Sequence, residues 1–130
     1  MIQANELRVG NLVLLNNPVY RPIDTGQIHL INAITKEYAS VSKLTKEPFT
    51  DTYGQYLQYI EGIPITTEWL LKFRFKKKLN DNKVSYNKHN IIIHFVNGIF
   101  TEYVHQKQIK YVHKLQNLFF EIRGVELSGF

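Results

Sequence analysis

A chain of 130 residues with 44% hydrophobic and 13% aromatic content can bury a packed core, which excludes intrinsic disorder. It contains no cysteine, so disulfides, thiol nucleophiles and cysteine-held zinc are excluded together. The net charge of +5 is one-sided: residues 1–60 carry five basic and five acidic side chains, residues 61–130 eleven basic and six acidic. We read the chain as a single domain, residues 1–130, with a β-rich half (1–62) and a basic α+β half (63–130).

In chain order, Leu7-Arg8-Val9-Gly10-Asn11 is a glycine turn that leads into a short apolar strand at residues 12–15. Such an entry is common in SH3-like barrels. Asn16-Asn17-Pro18 breaks the strand, and Arg21-Pro22 through Gly26 reads as a loop. Ile28, Leu30, Ala33 and Ile34 mark a second strand. Residues 38–44 form a third, with Ala39 and Val41 opposite Tyr38, Ser40 and Ser42. Residues 45–54, with Pro48 and Gly54, read as an exposed loop, and residues 56–60 as a fourth strand.

Gly62 and Pro64 end the β-rich half. Thr66 is placed to cap a short helix, with Glu68 in its first turn and Trp69, Leu70 and Phe73 on its apolar side. Phe73-Arg74-Phe75-Lys76 then alternates as a strand, and Asn80-Asp81-Asn82 turns it into a hairpin. Asn97-Gly98 predicts a second hairpin from residues 91–96 and 99–104. From Gln108 the period becomes helical: Tyr111, Val112, Leu115, Leu118, Phe119 and Ile122 share a face, and Gly124 stands where a capping glycine is expected. The fold class is therefore α+β: a small antiparallel, SH3-like or barrel-like sheet, β-hairpins, one short helix and a C-terminal amphipathic helix.

Catalytic patterns are lacking. No His-x-x-x-His pair places two ligands on one helical face, and no metal site is expected. Phosphate-cradling Gly-x-Gly loops and nucleophile elbows are missing, so we expect neither an enzyme nor a cofactor. Glu61, Glu68 and Glu102 could form an acid–base pair only through tertiary contacts.

The cations are more informative. On a strand, Arg74, Lys76 and Lys78 project together, with Phe73 and Phe75 opposite. Lys72, Lys83 and Lys88 extend the basic row, which suits phosphate contacts. Lys107, Lys110 and Lys114 form a second stripe on the last helix. A merely solvated face is the plain alternative for both. Trp69 and Phe119 read as core, and Phe120, at the helix edge, as a partner contact.

Three blocks, ELRVGNLV (6–13), IPITTEWLLKFRF (63–75) and YVHKLQNLFFEIRGVEL (111–127), resemble a family of short proteins encoded by phages, prophages and mobile elements. The resemblance runs from end to end and carries no reaction or contact residue onto this chain. It implies a phage origin, residence in the bacterial host cytosol, and inhibition of a host defence system. The expected partner is an RNA-guided CRISPR effector, its guide RNA, or both, in the manner of anti-CRISPR proteins. Two alternatives stand beside it: an autonomous RNA- or single-strand-binding module, and a phage structural protein that oligomerises. The start of the chain resembles no signal peptide, and no apolar run approaches a membrane span.

Overall fold

The computed structural model describes residues 2–18, 23, 25–44 and 52–127. It has the expected α+β class and resolves into two compact units, Met1–Ile63 and Pro64–Phe130.

The first unit is a curled antiparallel sheet. Its strands are β1 (Leu12–Leu15), β2 (Ile28–Ile34), β3 (Tyr38–Lys43), β4 (Thr52–Tyr56) and β5 (Ile60–Glu61). They lie in the order β4-β3-β2-β1-β5, so the last strand returns to the first, as in an SH3-like barrel. A 3-10 turn, Leu57–Tyr59, makes that return. Gly10, at φ 95°, bends the entry to β1, and Arg8 donates its backbone N–H to the buried Asn11 side chain at 2.7 Å. The core gathers Leu7, Val13, Ile31, Ala39, Val41, Leu57 and Ile60. Its buried polar groups are paired: the His29 ring meets Gln27 O at 2.9 Å and the Tyr53 hydroxyl at 2.8 Å.

Two expectations shift here. The fourth strand lies at Thr52–Tyr56, beginning inside the stretch read as loop, and residues 57–59 are the 3-10 turn. Tyr53 and Gln55 alternate inward in this strand, whereas Gly54 concealed the pattern. The rest of that supposed loop, residues 45–51, and the Arg21-Pro22 turn lie outside the described residues.

The second unit opens with helix α1 (Thr67–Lys72), followed by strands β6 (Lys76–Asn80), β7 (Lys83–Lys88), β8 (Ile91–Val96), β9 (Ile99–Glu102) and β10 (Lys107–Ile109). It closes with helix α2 (Val112–Arg123). The strands form an antiparallel meander in the order β10-β9-β8-β7-β6. Three turns with successive positive φ drive it: Asp81-Asn82, His89-Asn90 and Asn97-Gly98, the left-handed pairs of two-residue hairpins. Thr66 caps α1 by accepting from Trp69 N–H at 3.3 Å, and Gly124 ends α2 at φ 71°.

Tyr86, Ile91, Ile93 and Phe100 of the sheet are buried, as are Leu115 and Phe119 of α2. Lys88 of β7, which shares the Tyr86 side of the sheet, has its Nζ 5.9 Å from the Phe119 ring centre, so α2 lies on that face. The opposite face holds Lys76, Lys78, Lys83, Ile92, His94 and Thr101, as register and the two-residue period require. Among the described residues, no helix is long and apolar enough to cross a membrane.

Candidate functional site

The basic run is built differently from the strand read in the sequence. Residues 73–75 close α1: Arg74 N–H donates to Leu71 O and Phe75 N–H to Leu70 O, each at 3.0 Å. This is a Schellman closure, and Arg74 occupies its left-handed position at φ 69°. Glycine is the usual occupant. An L residue with a side chain costs about 1–2 kcal/mol more there. Phe73 and Phe75 are buried, as an apolar pair facing the core must be, and only Lys76–Asn80 is strand.

All five residues of β6 are exposed, and β6 is the edge of its sheet. Three consecutive lysines there also discourage pairing with another edge, the plain role for charge at such a place. The adjoining shape argues for more. Beside β6 lies a groove of about 700 Å³ lined by Arg74, Lys76, Lys77 and Lys78 and, across the sheet, by Asn87, Lys88, His89 and Asn90. No acidic side chain lines it.

Lys88 is the half-buried cation of the group. Its Nζ donates to Phe73 O at 2.5 Å and lies 5.9 Å from the Phe119 ring centre. Burial, then the nearby Arg74 charge, holds its pKa below the ordinary lysine value. An anion in the groove would offset the Arg74 charge.

The other predicted contacts scatter. Lys72 sits in the last turn of α1 with Nζ 5.0 Å from the Trp69 ring centre. Lys83 pairs with Asn80 at the far end of the hairpin, on the face of Lys76 and Lys78. Lys88, five residues on, must face the other way. The supposed helical stripe is not one: Lys107 lies in β10, Lys110 precedes α2, and only Lys114 is in the helix. Ile109 is buried at the end of β10 and Val112 at the start of α2, and pairing with β9 makes Lys107–Ile109 a strand. Phe120 is 39% exposed on α2, whereas Phe119 is core. Trp69, expected in the core, is half-buried and stacks on Phe73 at 5.8 Å, and Leu70 takes the interior position.

Lys77, Asn87, His89 and Asn90 were not singled out from the sequence. The signal was present in His89-Asn90, a two-residue step between alternating segments.

The buried carboxylate among the described residues serves structure. Glu102 is 1% exposed; it accepts from the N–H groups of Val104 at 3.2 Å and His105 at 2.7 Å, and pairs with the His105 ring at 3.1 Å. It thus builds the turn between β9 and β10. Among the described residues, no three His, Asp or Glu side chains gather as a metal site. Compared with known proteins, the chain matches no family model, no curated protein and no solved structure.

Proposed function

We propose that the chain is a non-enzymatic binding protein that docks the groove beside β6 on the phosphate backbone of an RNA. The single observation behind this reading is the groove around the β6 edge, lined by Arg74, Lys76, Lys77, Lys78 and Lys88 with no acidic side chain. Phosphates bind such clusters mainly through release of condensed counterions. Asn87 and Asn90 supply neutral donors at its wall. Arginine at a left-handed position, where glycine is cheaper, puts a cation in the groove wall.

The finer form is that the RNA is the guide of a host defence effector, bound free or within the ribonucleoprotein, and that binding inhibits the effector in the bacterial cytosol. This rests on the resemblance to phage- and prophage-encoded proteins together with the basic groove.

The test is affinity for a guide-type RNA across a salt series, with wild type beside the Lys76→Glu/Lys77→Glu/Lys78→Glu variant. Five phosphate contacts on a single strand give a log–log slope of about −3.5, and removing three lowers its magnitude by about two. A triple variant that binds and inhibits like wild type would refute the groove.

A further inference from the structure

We infer that the sheet face not covered by α2 stacks one unpaired base on Tyr103, beside the phosphate-binding edge. This rests on the polyanion reading above and names its ligand as single-stranded rather than duplex RNA.

Tyr103 follows β9 directly and donates its backbone N–H to Ile92 O at 2.8 Å, which places it opposite Ile92. Its side chain therefore shares the face of Thr101 and His94. The Tyr103 and His94 rings lie 4.9 Å apart at 36°, and Tyr103 remains 51% exposed. The aromatic surface is thus two rings wide with one side open.

The register carries the connection to the edge. Lys78 pairs with Ser85, which pairs with His94; Lys76 pairs with Asn87, which pairs with Ile92. Two parallel rows on one face run from the edge lysines to the ring pair. The backbone separation from β6 to Tyr103, which continues β9, is three strand spacings, about 14 Å. A lysine side chain reaching inward closes part of that, leaving a span for one nucleotide's phosphate and base. Single-strand binders combine these two elements, a cationic track and an exposed aromatic plane.

The ring is also held in place before any ligand arrives. Glu102, buried at the preceding position, bonds the N–H groups of Val104 and His105, while Gln106 Nε2 donates to Tyr103 O at 2.6 Å. An exposed tyrosine on a turn fixed at both sides loses little freedom on binding.

The experiment compares a short oligoribonucleotide, its abasic counterpart of equal charge, and a duplex of equal length. Wild type should prefer the base-bearing strand to the abasic one. Tyr103→Ala should lose about 5- to 150-fold on the base-bearing strand and nothing on the abasic or duplex probes. Its salt slope should stay as in wild type, and Tyr103→Phe should bind as wild type does. If Tyr103→Ala binds the base-bearing strand like wild type, or if wild type does not distinguish it from the abasic strand, stacking is overturned while the groove stands. If Tyr103→Phe loses as much as Tyr103→Ala, a hydroxyl contact replaces stacking and the inference falls. Failure of wild type to bind any of the three overturns the groove itself.

Discussion

The two units order a five-stranded antiparallel sheet differently. The first, with five basic and six acidic side chains in Met1–Ile63, brings its last strand back to its first. One of its grooves has both Lys36 and Glu37 in its wall, beside Tyr56. The second, with eleven basic and five acidic side chains in Pro64–Phe130, leaves β6 as an open edge. Such an edge is a hazard for self-association, and charge is one way to guard it. Here the guarding charges line a groove, and on the proposed reading one device serves both solubility and recognition.

The largest effect tests whether α2 truly supports that open sheet. Leu115 is fully buried, and Leu115→Ala should cost about 2–5 kcal/mol in chemical denaturation. Trp69 is the sole tryptophan, so its fluorescence reports this unit directly. Trp69→Ala should cost less than Leu115→Ala, since its ring is half-buried; equal costs would place Trp69 in the core after all.

Next in size is Glu102, whose carboxylate joins the stable part of the sheet to the proposed stacking turn. Glu102→Ala should lose about 2–3 kcal/mol, because two N–H groups lose a charged acceptor. An unchanged denaturation midpoint would mean the turn stands without it.

Arg74 separates stability from binding. Arg74→Gly should stabilise the unit by about 1 kcal/mol through relief of the left-handed position, while weakening RNA binding. A destabilised variant would show that the arginine's contacts outweigh its backbone cost.

The smallest effect is a pH dependence. Lys88 has its pKa lowered in the folded state, so above that value the unfolded chain holds more protons. Stability from this group therefore rises with pH until the ordinary lysine range is passed. Wild type should gain on Lys88→Met between neutral pH and that range in paired thermal melts. A constant difference would show that Lys88 is not desolvated.

How much of this was legible varied with the kind of signal. Thr66, Gly124 and Asn97-Gly98 act through local backbone chemistry, and each stands where its residue type directs. Lys107 and Lys110 misled because the helical period, read from Gln108, begins only at Val112, while Lys107–Ile109 pairs with β9. The Arg74 turn was hidden, since arginine carries no signal for positive φ. Glu102 was unreadable for another reason: a carboxylate buried by its own turn looks in sequence like any surface acid. The groove needed β6 and the His89-Asn90 turn side by side, a juxtaposition made only by the completed hairpin.

The difference between the units is tested most directly by an NMR titration of the labelled protein with a single-stranded oligoribonucleotide. Backbone resonances of Arg74, Lys76, Lys77 and Lys78 and of residues 87–90 should shift first, joined by Tyr103, and should return on addition of salt. Shifts centred instead on Tyr38 and Tyr56 of the first unit, or none at saturating RNA, would contradict the account.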